Sequence, residues 1–168
     1  MRNIPESMYA VNGGTFKAIE TPKMVETRGR DWVSFGKNNL YPQELVELFN
    51  TSAMHHTCVE AIADGIFGEG FQIIGDEYAN TKGETFNEIF QKVALDYTLF
   101  NGYALNVIWN KEGTSIVEMY HLPMCDVRSG KMDDEGAVHE YFYSVDWKNI
   151  RKHTPVSYKA FDPTDNKK

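Results

Sequence analysis

The chain is acidic and has the size of one ordinary domain, and these properties exclude several classes of protein. It has 168 residues, of which 42% are hydrophobic, and a formal net charge of −7. This charge argues against a broad nucleic-acid surface, because phosphate contacts need clustered lysines and arginines. Cys58 and Cys125 are too few for a disulfide framework. No apolar run approaches the ~20 residues of a membrane span, and no signal-peptide core begins the chain, which predicts a soluble intracellular protein without a membrane partner.

The N-terminal part of the chain is weakly patterned. Residues 1–37 carry no sustained hydrophobic period, and we interpret them as a partly irregular arm. Within the arm, FKAIE at residues 16–20 alternates as a short strand does. Residues 38–162 are predicted to form the folded domain, and residues 163–168 a polar tail.

Three helices are predicted in the first part of this domain. Pro42 suits a first helical position, and the apolar spacing that follows indicates a helix over Pro42–Phe49. Ser52 offers an N-cap for a second helix over Ala53–Phe67. A third helix runs over Thr85–Phe100, with the capping-box spacing to Glu88 at its start.

The same pattern predicts which faces of the helices are buried and where the third helix ends. Asn101 and Gly102 end it, because glycine tolerates the left-handed C-terminal conformation. The apolar residues expected on the buried faces of the second and third helices are Val59, Ile62, Ala63, Ile66, Phe86, Ile89, Phe90, Val93, Tyr97 and Phe100.

Strands are predicted between the helices and after them. The short run GFQIIG at residues 70–75 is interpreted as a strand. From residue 103 the hydrophobic period becomes two, and a hairpin is predicted from YALNVIWN and TSIVEMYHL. A second hairpin follows in DVRSGKMDDEGAVHEYFYS with its turn at Met132–Gly136, then a single helical turn in DWKNIRKH and a last strand in VSYKAFD. This order predicts an α+β fold, with about three helices packed on antiparallel β-hairpins.

Four glycines fall in EAIADGIFGEGFQIIG, which raises the question of a phosphate site. A phosphate cradle lies between a strand and the start of a helix, whereas here a helix precedes Gly65, Gly68 and Gly70. The negative end of that helix dipole repels phosphate. We interpret the glycines as a helix stop and a tight entry into a strand at Phe71. A nucleotide-binding enzyme that uses Gly65–Gly70 is kept as an alternative.

No other residues combine into a reactive site. His55 and His56 lie beside Cys58, and His121 lies near Cys125, but neither group has the ligand spacing of a metal site. Cys58 is in mid-helix and is interpreted as small core filler. The sequence therefore predicts no enzyme, no catalytic residue, no cofactor and no metal. The abundant aromatic residues favour a core and a subunit interface, since acidic and basic residues are equally frequent around them.

Two stretches resemble tailed-bacteriophage portal proteins, in their N-terminal and wing region. The first is FGKNNLYPQELVELFNTSAMHHTCVEAIADGIFGEGF, where an aromatic-Gly-x-x-Asn-x-x-Pro lead-in precedes two helices and an Ile-x-Gly-x-Gly-Phe exit. The second is ALDYTLFNGYALNVIWNKEG followed by YHLPMCDVRSGK, where a helix ends before a strand and Leu-Pro and Val-Arg follow. The matching residues are Gly36, Asn39, Tyr41, Pro42, Ser52, Gly68, Gly70, Phe71, Phe100, Gly102, Tyr103, Leu122, Pro123, Val127 and Arg128. The resemblance covers about Trp32 to Asp162.

The resemblance implies a structural subunit of a ring-shaped homo-oligomer, typically a dodecamer, at one vertex of a phage capsid. Such a ring is the conduit for DNA packaging and ejection and connects head to tail. The implied partners are further copies of the chain, terminase, the major capsid protein, head–tail connector proteins, and double-stranded DNA that passes without sequence-specific binding. The implied location is the virion, and the bacterial host cytoplasm during assembly.

The resemblance also implies that these residues are a fragment of a longer portal subunit, either truncated or left as a prophage remnant. Portal subunits continue into further wing strands, a clip, a stem and a crown. The alternative from a different class is a nonviral protein-interaction module with an aromatic groove.

Overall fold

The computed structural model describes residues 10–11, 14–15, 22–36 and 38–162, and these form an α+β fold, as predicted. The helices are α1 Tyr41–Thr51, α2 Ala53–Phe67 and α3 Phe86–Phe100. The strands are β1 Ala10–Val11, β2 Gly14–Thr15, β3 Met24–Glu26, β4 Val33–Phe35, β5 Ala104–Trp109, β6 Ile116–Leu122, β7 Val127–Ser129, β8 Glu140–Tyr143 and β9 Val156–Lys159, with a 3-10 turn at Met124–Asp126. The strand predicted at residues 16–20 and the tail at 163–168 lie outside the described residues.

All described strand pairs are antiparallel. The pairs β1–β2, β3–β4 and β5–β6 form separate two-stranded sheets, and β7–β8–β9 form a three-stranded sheet. Both hairpins predicted from the period of two are confirmed, with Ala104 opposite Leu122 in one and Val127 opposite Tyr143 in the other. The last predicted strand is confirmed as β9, which pairs with β8.

The helices begin where the capping residues indicate. Thr85 Oγ1 accepts a hydrogen bond from Glu88 N at 3.2 Å, and Glu88 Oε2 accepts one from Thr85 N at 2.8 Å, so the predicted capping box is confirmed. Ser52 caps α2 through its hydroxyl, as predicted. These side chains satisfy amides that the first helical turn leaves without a partner.

The predicted bounds of α2, Ala53–Phe67, are confirmed, and Gly68 ends the helix with φ +55°. Two predictions about this region are wrong, the first being that Gly65 helps to stop the helix, since it lies inside it. The segment predicted as a strand at Phe71 is a series of turns over residues 72–76, in which Gly75 N donates to Phe71 O at 3.1 Å. Local hydrogen bonds of this kind use the backbone groups that a strand would offer to a neighbour.

Further residues differ from prediction, among them Tyr97, which was expected on the buried face of α3 and is 48% exposed. The left-handed residue after α3 is Asn101, at φ +54°, and Gly102 has no positive φ. Ile62 and Ile66 are exposed, because α2 packs with the neighbouring line of Val59 and Ala63. Cys58 is exposed and does not fill the core.

The buried apolar residues form two groups. Between the helices they are Val59, Ala63, Ile89 and Ala94, and around the sheets they are Val33, Val127, Phe142 and Trp147. Ala79, in the segment between α2 and α3, is also buried. Helix α3 connects the two groups, since Asp96 near its C-terminal end accepts a hydrogen bond from Met124 N at 2.8 Å. This hydrogen bond places the 3-10 turn beside the C-terminal part of α3.

Candidate functional site

Residues from the two stretches that carry the resemblance meet around the guanidinium of Arg128. This side chain is only 2% exposed. Its Nε donates to Asn39 Oδ1 at 2.8 Å, and Nη2 donates to Asn39 O at 2.8 Å and Gln43 Oε1 at 3.1 Å. Its Nη1 donates to Cys125 O at 2.8 Å and Val127 O at 2.7 Å. All five N–H groups of the guanidinium are therefore hydrogen-bonded, which is the full capacity of an arginine.

Neutral oxygens and one aromatic ring surround the charge of Arg128, and no carboxylate among the described residues accepts a hydrogen bond from it. All five acceptors are neutral oxygens, and the guanidinium carbon lies 4.8 Å from the ring centroid of Trp147, a cation–π distance. Burial lowers the pKa of Arg128 to about 10, while the charge of Asp126 opposes this shift. Arg128 therefore stays protonated at neutral pH and acts as a fixed polar junction between distant parts of the chain.

The turn before α1 aims Asn39 at Arg128. Asn39 has φ +63° and Gly36 has φ +80°, so the chain between β4 and α1 makes two left-handed steps. The side-chain oxygen Oδ1 of Asn39 also accepts a hydrogen bond from Phe35 N at 2.9 Å. A Cβ on Gly36 would lie 3.0 Å from Tyr41 Cβ, and Pro42 is buried at the start of α1. The lead-in of the first stretch is therefore a compact turn that places Asn39 where it can accept hydrogen bonds from Arg128.

The other predicted site residues have different positions. Pro123 precedes the 3-10 turn that carries Cys125, and it is exposed. Gly102 and Tyr103 lie between α3 and β5, with the Gly102 Cβ position 3.5 Å from a Met124 side-chain atom. Gly68, Gly70 and Phe71 form a separate feature at the end of α2.

Beside that separate feature is an apolar groove of about 490 Å³, whose position and lining the sequence did not predict. It lies between the end of α2, the turns that follow it, α3 and the β5–β6 hairpin. Its lining residues are Ile66, Phe71, Ile74, Phe86, Ile89, Phe90, Val93, Ala94, Tyr97, Tyr103, Leu105 and Met119. Several are substantially exposed, and Ile73 beside the groove is 92% exposed. Contiguous exposed apolar surface of this kind marks an interaction site more often than a solvated surface.

Asn87 on α3 holds the turns that form one wall of the groove. Its Oδ1 accepts from Phe71 N at 2.8 Å, and its backbone N donates to Gly75 O at 3.0 Å. A Cβ on Gly70 would lie 2.6 Å from Asn87 Oδ1, so the close approach requires glycine there. Phe71 then stacks on Phe90 at 4.8 Å between ring centroids. The two glycines that bracket FQII were the sequence signal for this wall, whereas nothing in the sequence marked Asn87.

Acidic residues adjoin the groove lining in sequence, and we call them the rim of the groove. The segment from residue 60 to residue 77 contains five acidic residues and no lysine or arginine, and all five side chains belong to exposed residues: Glu60, Asp64, Glu69, Asp76 and Glu77. Of these, Glu60 pairs with His56 at 3.1 Å. We call the lining residues together with Glu69, Asp76 and Glu77 the acidic groove.

The amides of the glycine cluster are occupied by the chain itself. Gly68 N donates to Asp64 O at 2.8 Å and Gly70 N donates to Phe67 O at 2.9 Å. Both glycines follow the C-terminal end of α2, where the helix dipole is negative. The arrangement of these two amides therefore does not suit a bound phosphate.

The remaining titratable cluster is a buried hydrogen-bonded pair beside a protonated thiol. His121 Nε2 lies 2.8 Å from Asp96 Oδ2. Burial raises the pKa of Cys125 to about 12, and the charges of Asp126 and Asp96 add to the shift. A nucleophilic cysteine needs a depressed pKa, so the thiol of Cys125 is unsuited to that role.

The described residues offer neither a metal site nor a membrane span. No set of three or more histidine, cysteine, aspartate or glutamate side chains in the described ranges is grouped so that it could hold a metal ion. Within those ranges, no helix has the length and apolar character needed to cross a bilayer.

Comparison of the chain with models of known protein families, with curated proteins and with solved structures gives no match.

Proposed function

We propose that this chain is a wing-type region of a phage portal subunit, a structural protein that assembles into a ring at a capsid vertex. The observation that carries the proposal is the junction at Arg128. Asn39 of the first resembling stretch and Arg128 of the second are 89 positions apart, and two hydrogen bonds of 2.8 Å join them. Residues chosen from sequence for resemblance alone are thus partners in one buried contact.

Two further observations support a structural role. The acidic groove exposes large apolar side chains, which is typical of a surface that another protein covers. The titratable residues near the 3-10 turn have structural contacts, since His121 is hydrogen-bonded to Asp96 and the raised pKa of Cys125 keeps its thiol protonated. In this proposal the chain has no catalytic role and no cofactor. Its partners are its own copies, terminase, the major capsid protein and head–tail connectors.

The proposal is tested by imaging. The purified chain is examined by negative-stain electron microscopy over a range of concentrations, and closed rings of one size are expected. Only monomers at every concentration would contradict ring assembly. A terminase gene beside the coding gene is the expected genomic context, and a neighbourhood without phage genes would favour the nonviral alternative.

The second candidate function is a nonviral protein-interaction module. The aromatic side chains of Phe71, Phe90, Tyr97 and Tyr103 in the groove specifically favour this candidate. The two functions differ in stoichiometry, because a module binds a different protein as a monomer whereas a portal subunit binds its own copies. The nucleotide-binding alternative is tested separately by nucleotide titration, where an unchanged melting temperature counts against it.

A further inference from the structure

The chain carries a second exposed surface whose charge is opposite to that of the acidic groove. It is the turn between β8 and β9, residues 144–155, together with Val156 at the start of β9, and we call it the basic turn. Lys148, Arg151 and Lys152 are exposed there, beside the apolar side chains of Val145 and Val156, which are 65% and 54% exposed. The basic turn thus combines apolar and cationic groups, as the acidic groove combines apolar and anionic groups.

Local hydrogen bonds hold these groups together. Ser144 Oγ donates to His153 O at 3.4 Å, and Lys152 N donates to Asn149 O at 2.8 Å, which closes the turn. The one carboxylate in the turn, Asp146, accepts hydrogen bonds from Lys148 N at 2.9 Å and Asn149 Nδ2 at 2.8 Å. Asp146 keeps its negative charge, but the three cations Lys148, Arg151 and Lys152 outnumber it, so the turn is cationic in sum.

The rim and the basic turn are attached to different parts of α3. The rim lies at the start of α3, where Phe86 N donates to Glu77 O at 3.1 Å. The basic turn is joined to the 3-10 turn by a 2.9 Å hydrogen bond from Trp147 Nε1 to Asp126 O, and Met124 N of the 3-10 turn donates to Asp96 at 2.8 Å. The nine steps from Asn87 to Asp96 span ~14 Å along the helix at ~1.5 Å per residue.

We propose that the acidic groove of one copy binds the basic turn of a second copy, in a head-to-tail contact. Opposite charges that meet across an interface favour association, whereas two acidic rims brought together repel each other. The charges therefore disfavour a two-fold groove-to-groove contact and favour a heterologous one. A heterologous contact generates a ring where its rotation closes and a filament where it does not. The inference rests on the self-assembly in the proposed function and specifies the surfaces that meet.

The test uses reciprocal charge reversal in the whole chain. The rim variant carries Asp76→Lys and Glu77→Lys, and the turn variant carries Arg151→Glu and Lys152→Glu. Sedimentation velocity is expected to show self-association weakened about tenfold or more for each variant alone. An equimolar mixture of the two is expected to associate again, because each variant then meets a surface of opposite charge.

Matched controls reverse charges elsewhere on the surface. Lys111→Glu and Asp134→Lys change exposed residues outside both surfaces, and they are expected to leave association within about twofold of the wild type. A third variant, Ile74→Asp, removes apolar contact from the groove, and its loss of association is expected to persist in a mixture with the rim variant, because neither protein then has an intact groove. Circular dichroism melting confirms that each variant is folded.

The outcomes separate this inference from the proposed function. Rings that form equally well with both charge-reversed variants would overturn the groove-to-turn contact and leave the portal proposal standing. Open chains that respond to charge reversal but never close would support the contact and count against a portal ring. A wild-type chain that stays monomeric, or a mixture that fails to restore association, would overturn the inference.

Discussion

The replacement of Arg128 by methionine tests the junction between the two resembling stretches. The change removes five hydrogen bonds to Asn39, Gln43, Cys125 and Val127 from a site that is 2% exposed. At a net ~1 kcal/mol per hydrogen bond the loss is about 5 kcal/mol. Part of it is offset, because methionine does not carry a charge that must be taken out of water. We expect the free energy of unfolding to fall by about 2–4 kcal/mol.

The assay is urea unfolding followed by circular dichroism, with the midpoint and slope fitted together. Arg128→Lys is expected to recover less than half of the loss, because a lysine has three donors on one nitrogen and cannot reach five acceptors in a plane. Arg151→Met, at an exposed position, is the matched control and is expected to change stability by ~0.5 kcal/mol or less. A loss below ~0.5 kcal/mol for Arg128→Met would refute the reasoning, since the junction would then contribute no net stability.

Three further predictions concern the groove wall, the thiols and one surface turn. Gly68→Val is expected to lower the free energy of unfolding by ~1 kcal/mol or more, because φ is +55° there. The control Gly65→Ala, within α2, is expected to raise the free energy of unfolding by ~0.5–1 kcal/mol. Unchanged stability of Gly68→Val in urea unfolding would contradict the observed backbone. A thiol reagent at pH 8 is expected to modify the exposed Cys58 quickly and Cys125 only after unfolding, because the Cys125 pKa is raised to about 12. Fast modification of the folded Cys58→Ser variant, in which Cys125 is the remaining thiol, would contradict this prediction. A hydrogen bond from the backbone amide of Ala137 is the main cause that lowers the pKa of Asp133. The ionised Asp133 therefore stabilises the fold above the pKa of an unfolded aspartate, and this stabilisation is lost as the pH falls through the lowered pKa. An NMR titration that gives an ordinary pKa for Asp133 would disprove this prediction.

The helices and hairpins were predictable because their signals are local. The apolar spacing and the Thr85–Glu88 capping box define α3 within a few residues of sequence. The β5–β6 and β7–β8 hairpins follow from alternation around polar turns. In each case the interactions that fix the element join residues close in the chain, so a sequence pattern records them.

The turns after α2 could not be predicted because a distant residue fixes them. The run from Phe71 to Ile74 is as apolar as a short buried strand, and periodicity alone cannot distinguish the two. The deciding contacts come from Asn87 on another element. The same is true of Arg128, whose partners are mostly backbone oxygens, which have no signature in a sequence. The resemblance selected the right residues at that junction without indicating their contact.

Exposure of side chains was the least predictable property. Ile66 and Cys58 lie on a helix that packs on one side only, so neighbouring positions differ in burial. An apolar residue on such a helix is compatible either with a core or with a surface that a partner covers. The acidic groove could not be predicted, because its lining residues Ile66, Phe71 and Tyr97 come together only in the folded chain.

Native mass spectrometry of the wild-type chain is the most stringent test of ring assembly. We expect one dominant species with a fixed number of copies once the concentration exceeds the dissociation constant, because a closed ring has no free surface for further copies. We also expect this species to dissociate as ionic strength rises, since opposite exposed charges contribute to the contact. Monomers alone at every concentration, or a ladder of species without a preferred size, would rule out ring assembly.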